Sequence, residues 1–380
     1  MKTFRLLLVA LFVSCSGLPI EVPTDGGEDA GPIDSGMTDA GTPDAGPTDA
    51  GMTDAGPTDA GPPDAGPTDA GPPDAGPTDA GPTDAGPIDA GTPARLTLTP
   101  SELVFSGVRA TAIPSQKFTA TNVGGMPLQL TSATTAAPFT VVATPALPAT
   151  LAPGQSATLA VTFAPNATAL GYLAGRLTLA TSVGAADAGL YGLATKGEQG
   201  ANEPAFASCV AALGYGIDVG GTGLILGTGA APIGDEVIHP LFHKADAGPV
   251  TLRPVARYSP NETLPFGWYV QTADGGVSTS LVGTIALGQE QTLNPQTTPD
   301  SGTTFDPGNA TFGLFVSSNT FNRNTYTQDA RNTGPTVHAS RVYPLKDRQG
   351  QLVPHAYLIG FEDAANGDYQ DYVFLLTNVD

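Results

Sequence analysis

Arg95-Leu96-Thr97-Leu98-Thr99-Pro100-Ser101-Glu102-Leu103-Val104-Phe105-Ser106-Gly107-Val108 is where the chain changes character. Leu96, Leu98, Leu103, Phe105 and Val108 are set among threonines and serines, which is the pattern of strands with one apolar face. Similar runs follow at Phe118-Thr119-Ala120-Thr121, Leu128-Gln129-Leu130, Phe139-Thr140-Val141-Val142, 157–163 and 176–179. Gly124-Gly125, Pro153-Gly154 and Pro165-Asn166 punctuate them as turns. About seven short strands at this spacing predict an antiparallel β-sandwich over residues 95–197.

The order of motifs in this stretch resembles a known family. Thr121-Asn122-Val123-Gly124-Gly125-Met126-Pro127-Leu128-Gln129-Leu130, Leu151-Ala152-Pro153-Gly154-Gln155-Ser156, Val161-Thr162-Phe163-Ala164-Pro165 and Gly175-Arg176-Leu177-Thr178-Leu179 are similar to the ASPM/SPD-2/Hydin type of immunoglobulin-like domain. The resemblance implies a sandwich without catalysis, used as a spacer or for protein contacts.

Residues 198–380 read as a second body. Gly197 to Asn202 has linker composition, and Glu203-Pro204 up to Leu213 has helical character, with Pro204 suited to a first turn. Strand patterns then return, and Lys346-Asp347-Arg348-Gln349-Gly350 reads as a hairpin turn. The last run, Tyr372-Val373-Phe374-Leu375-Leu376, is apolar on both faces and belongs in the middle of a sheet. A second β-sandwich, with a jelly-roll path as one option, is the expected fold, and the chain as a whole is all-β. Gly360-Phe361-Glu362-Asp363 and Asn366-Gly367-Asp368-Tyr369-Gln370-Asp371-Tyr372-Val373-Phe374 are similar to the acidic signature of the DUF4114-like β-sandwich group.

Upstream of Arg95 the composition is unlike that of any packed core. Residues 16–94 hold 16 acidic side chains and no Lys or Arg, against 20 acidic and 13 basic in residues 95–380. The net charge of −21 therefore belongs mostly to this segment. Thirteen aspartates recur every five residues from Asp29 to Asp89, in units such as Asp-Ala-Gly-Pro-Thr. A period of five matches neither helix nor strand, and proline, glycine and like charge all oppose order, so residues 15–94 read as a solvated, disordered tether. Fully extended, its reach approaches about 3.1 Å per residue. Calcium-binding repeats would need a different spacing and inward-folding glycines.

Residues 1–14 read as a signal peptide. Lys2 and Arg5 form a cationic start, and the apolar run 6–13 is too short for the ~20 residues a bilayer span needs. Ser14-Cys15 closes what looks like a bacterial lipobox, with Phe12 where an aliphatic residue is usual. That implies lipidation of Cys15, and hence a membrane partner through that lipid. The expected location is the cell envelope, as an outer membrane lipoprotein facing the exterior. Cys209 then has no disulfide partner and reads as a buried, inert thiol.

Among groups able to do chemistry, one loop stands out. Glu362, Asp363, Asn366, Asp368 and Asp371 place five oxygen-bearing side chains within ten residues. Calcium accepts six to eight oxygens in irregular geometry, so the loop is a candidate calcium cradle. The opposing reading is a plain exposed turn, because Asn366-Gly367 is a type I′ hairpin signal. His239 and His243 have zinc-helix spacing but lack the glutamate, and Pro240 breaks the helix. The glycine-rich stretch 214–229 has no nucleotide-binding order, and Trp268, with Phe266 and Tyr269, reads as core before it reads as a sugar platform. No basic cluster suits nucleic acid.

The expected function is a non-catalytic cell-surface lipoprotein displaying β-sandwich modules for adhesion or for binding a glycan or protein ligand, stabilised by calcium if the acidic loop is a cradle. The alternatives are a secreted carbohydrate-active hydrolase with a catalytic C-terminal region, and a purely structural envelope protein. No catalytic residue is assigned.

Overall fold

The computed structural model describes residues 91–380. The signal peptide, Cys15 and nearly all of the aspartate repeat lie outside the described residues.

The first module is built from β1 (Leu96–Thr99), β2 (Glu102–Val108), β3 (Gln116–Asn122), β4 (Leu128–Thr134), β5 (Phe139–Thr144), β6 (Ala149–Leu151), β7 (Ser156–Phe163), β8 (Gly171–Thr181) and β9 (Gly184–Thr195). They form two sheets, ordered β1-β3-β7-β5 and β2-β9-β8-β4-β6. Alternate residues face inward, and Phe105, Phe118, Leu130, Phe139, Leu159, Val161, Phe163, Leu177 and Leu190 form the core. Burying each such side chain contributes about 1.5–3 kcal/mol. Phe139 and Phe163 stack at 5.1 Å between ring centres. One pairing departs from the expected antiparallel sandwich: β2 runs parallel to β9. The two strands are opposite ends of the module, and the whole module serves as the long crossover that parallel neighbours require.

The Thr121–Gly125 motif has a physical role here. Asn122 is fully buried at the end of β3, where its Nδ2 donates to the carbonyls of Met126 (2.8 Å) and Leu151 (3.0 Å). Its Oδ1 accepts the Gly124 N–H at 3.0 Å, so one side chain pins the turn to β6 of the other sheet.

A short junction leads to helix α1 (Phe206–Leu213). The helix starts two residues later than the proline suggests: Ala205 is the N-cap, and Pro204 lies in the extended lead-in. Gly214 ends it in the left-handed conformation, φ 89°. Cys209 is completely buried on the helix's inner face, where burial pushes its thiol well above the usual range.

The second module has β10 (Val250–Tyr258), β11 (Leu264–Gln271), β12 (Val277–Ile285), β13 (Gln291–Leu293), β14 (Thr304–Phe305), β15 (Gly313–Ser318), β16 (Arg323–Tyr326), β17 (Ser340–Lys346), β18 (Leu352–Phe361) and β19 (Tyr372–Thr377). One sheet runs β13-β10-β19-β18-β17, with β14 added on β10, and faces a second, β12-β11-β15-β16. The chain is thus all-β with a single α-helix among the described residues. As its two apolar faces require, β19 lies centrally, between β10 and β18. One face packs into the sandwich through Phe374, Leu376, Phe266 and Leu314. The other packs under α1 through Val373, Phe206, Cys209 and Leu358, in a cluster that also takes in Leu193 and Val104 of the first module. Trp268 stacks on Phe305 at 5.3 Å, which is core packing.

Candidate metal centre

The connection between β18 and β19 carries the acidic loop. The expected two-residue hairpin at Asn366-Gly367 does not form; the strands separate after Phe361↔Tyr372 and ten residues fill the gap. The loop folds inward because its own backbone donors are captured there. Glu362, fully buried, accepts the Ala364 N–H (2.9 Å) on one oxygen and the Gly367 (2.7 Å) and Asp368 (2.8 Å) N–H groups on the other. The glycine-rich stretch closes over it: the N–H groups of Leu226 and Gly227 both donate to the Gly367 carbonyl. A Cβ on Gly367 would sit 2.9 Å from the Gly227 backbone, and Gly367 has φ 76°, so glycine is required twice over. The reading of an exposed, solvated turn is therefore overturned for the acids, which are buried; only the Asn366 side of the loop faces solvent.

Three of the five candidate residues converge. Oxygens of Glu362, Asp368 and Asp371 lie within 4.8 Å of one another. Asp363 stands beside them, its Oδ2 accepting the Tyr372 hydroxyl at 2.7 Å. Its backbone N–H donates to Asp371 Oδ2 at 3.1 Å. Asn366 is at the rim and turns its Nδ2 to Asp368 Oδ2, 2.6 Å away.

The electrostatics are those of a site short of positive charge. Burial, with the Glu362 carboxylate next in weight, pushes Asp368 up to about 7. Burial likewise pushes Asp363 to about 6, against the opposing pull of the Tyr372 hydrogen bond. Asp371 is held well above the carboxylate range by burial and then by the charges of Asp363, Glu362 and Asp368. Among the described residues no Lys, Arg or His forms an ion pair with these carboxylates. Arg323 donates to the Asp363 backbone carbonyl, and the Arg257 guanidinium lies 5.8 Å over the Tyr372 ring.

Oxygen acceptors with nothing to accept complete the picture. Asp363 Oδ1 and Asp368 Oδ1 are buried without a hydrogen-bond partner, as are both polar atoms of the fully buried Gln370 carboxamide. Leaving a buried polar atom unmade costs about 1–3 kcal/mol. A hard cation coordinated by carboxylate and carboxamide oxygens would relieve both deficits, and these residues fit calcium's preference for such ligands. Gln370 was not among the sequence candidates, and it joins the site because its carboxamide is fully buried beside Asp368.

Sequence reasoning also missed a second polar cluster. His338 places Nε2 2.9 Å from Glu236 and Nδ1 3.0 Å from Asp329, while Arg341 pairs with the other Glu236 oxygen. Two ring nitrogens each facing a carboxylate require the imidazolium, since neutral imidazole has only one donor. Burial opposes that charge, but the Glu236 and Asp329 hydrogen bonds outweigh it, and His338 titrates above its usual value. The cluster borders a cavity of about 290 Å³. It also abuts the acidic loop: the Tyr369 hydroxyl donates to the His338 carbonyl at 2.6 Å, and Arg341 lies 4.5 Å over the Tyr369 ring. His239 and His243 do not form a metal pair. His239 stacks on Tyr357 and the His243 ring hydrogen-bonds Thr311 Oγ1.

Residues 94–189 match the family model described as HYDIN/CFA65/VesB-like, Ig-like domain. The first module is an Ig-like domain. The Ig-like domain thus coincides with the sandwich β1–β9 up to the start of the last strand's inner half. No curated protein matches the chain by sequence. Among solved structures, the chain is similar to the VesB protease of Vibrio cholerae at 23% identity and a TM-score of 0.20, over 26% of this chain and 31% of that one. It is similar to the secreted serine protease VesC of Vibrio cholerae at 14% identity and a TM-score of 0.21, over 74% and 51%. The Pseudomonas aeruginosa CupB2 chaperone gives 12% identity and 0.23, over 60% and 97%. The chain spans about a third and about half of the length of the two proteases.

Proposed function

We propose that this chain is a non-catalytic display protein of the bacterial cell envelope, whose second module is closed by a calcium ion held by Glu362, Asp368 and Asp371. The lipid on Cys15 would anchor it and the aspartate repeat would hold the body away from the surface. The Ig-like domain and the second sandwich would offer faces for adhesion to a glycan or protein ligand. The observation that carries this reading is the buried, three-carboxylate cluster with unpartnered oxygens beside it. The acidic stretch that resembles the DUF4114-like signature covers the same residues. Carboxylates that converge on one buried point cannot flank a polymer across a cleft, the arrangement that glycoside hydrolysis uses.

Thermal melting of the protein in calcium and in EDTA tests the site. A metal bound only by the folded state adds about 2.7 kcal/mol at a hundredfold excess over Kd. In a body of this size, that is a rise of about 5 °C in Tm. Equal melting temperatures in the two buffers would sink the calcium reading. Fractionation of cells expressing wild-type and Cys15→Ser protein tests the anchor: only the wild type should stay with the membranes.

A further inference from the structure

The acidic loop does not end at the second module's surface. Behind it runs a half-buried polar seam that reaches the Ig-like domain. Glu203, in the junction just ahead of α1, accepts the Gln291 Nε2–H at 2.9 Å. The Gln370 carboxamide lies between Glu203 on one side and Asp368 on the other, yet makes no well-formed hydrogen bond to either. Beside Gln291, the Leu293 N–H donates to Ser106 Oγ of β2 at 3.0 Å, and Thr292 Oγ1 lies 3.3 Å from the same hydroxyl. Gln291 Oε1, Glu290 Oε2 and the Tyr258 hydroxyl are further buried atoms without partners along this seam. The seam therefore runs from Asp368 through Gln370 and Glu203 to Gln291 and Ser106, that is, from the acidic loop to the Ig-like domain.

Charge decides how the seam behaves. Glu203 is half-buried, and the carboxylates of Glu362 and Asp368 repel it. Like charges in a low-dielectric interior are screened far less than at a surface. With the loop negative, that repulsion works against the Glu203–Gln291 hydrogen bond that helps hold the junction. A divalent cation among Glu362, Asp368 and Asp371 cancels two of the three negative charges there and so relieves most of the repulsion on Glu203. The unpartnered Gln370 carboxamide is placed to turn its oxygen to the metal and its N–H groups to Glu203.

We propose that the cation at the acidic loop is also the lock between the two modules, acting through Gln370 on Glu203 and so fixing the Ig-like domain against the second sandwich. This rests on the calcium reading above. With the cation bound the junction 196–205 is held closed, and without it these residues open more readily, while the cluster around α1 joins the modules in both states.

Hydrogen exchange of the full protein in calcium and in EDTA separates the possibilities. The expected result is that calcium slows exchange by about tenfold or more, both in the loop 362–371 and in the junction amides of Glu203 and Leu293, since each is released only by local opening. Glu203→Gln keeps the acceptor for Gln291 but removes the charge. In that variant the loop should still respond to calcium, while the junction should be protected equally in both buffers. If calcium protects the loop but leaves the wild-type junction unchanged, the lock is wrong and the site stands. A junction that responds in Glu203→Gln as it does in the wild type also overturns it, because the coupling then bypasses Glu203. If neither region responds in the wild type, the site itself falls and the lock with it.

Discussion

Asp368 and Asp363 set the pH behaviour of the protein. Their folded-state values, about 7 and about 6, lie above the ordinary carboxylate value. The folded state without metal therefore holds protons that the unfolded chain gives up, and the stability this supplies is present below about pH 4 and lost as pH rises through 6 to 7. His338 acts in the same direction: its raised value supplies stability below the free-imidazole pKa that is lost as pH climbs through the folded one. In EDTA, urea midpoints should thus fall between pH 5 and pH 8. Calcium competes with the same protons, so its affinity should rise over that interval. Asp368→Asn should abolish the calcium response and raise the EDTA midpoint at pH 8, because it removes one buried charge of a repelling set. A lowered EDTA midpoint in that variant would mean the carboxylate is used by the fold and not by a cation. At this scale the sequence was half readable. Five oxygens in ten residues announce a loop worth testing, but whether they face water depends on Glu362 capturing the Gly367 and Asp368 N–H groups, and Gln370 and Glu203 join only through tertiary contact.

Among the elements, those with a strong internal period were the readable ones. β19 shows its central position through apolar residues on both faces, and β2, β3 and β7 show which face is inward through alternation. The parallel pairing of β2 with β9 is invisible, because a strand's partner is not written in its own residues. The hairpin expected at Asn366-Gly367 failed for a related reason: the local turn preference lost to burial of the loop under Gly227. Gly360 on β18 makes the same point as a prediction. A Cβ there would come 2.5 Å from the Tyr369 carbonyl and 3.0 Å from the Phe206 ring. Neither the backbone of the acidic loop nor a ring packed under α1 can yield cheaply, so Gly360→Ala should destabilise the protein by about 1–3 kcal/mol. Its calcium response should weaken as well, since the loop is what must move. Denaturant titration in calcium and in EDTA measures both, and a neutral substitution would show that the loop packs more loosely than its contacts imply.

For the whole molecule, the uneven charge separates two jobs. The acidic repeat carries most of the net charge, while residues 95–380, at a net −7, fold as an ordinary β-body. Within that body the modules share buried surface. Leu193 and Val104 of the Ig-like domain pack in one cluster with α1 and with Val255, Tyr343 and Leu358 of the second module. Arg348 adds an ion pair to Glu102 at 2.9 Å and lies over the Tyr191 ring. Phe206 is central to this junction, fully buried and edge-on to Tyr343 at 5.9 Å. With calcium bound, a body joined in this way should unfold in one calorimetric transition. Truncating Phe206 to alanine removes about 3–5 kcal/mol from the shared cluster. It leaves the stacked Phe139 and Phe163 of the Ig-like core untouched. Phe206→Ala should therefore split the single transition into two, with the second module melting first because α1 covers its sheet. Phe163→Ala, inside the Ig-like core, should instead lower the transition of that domain. One undivided transition in Phe206→Ala, merely shifted downward, would mean that contacts other than α1 bind the modules together.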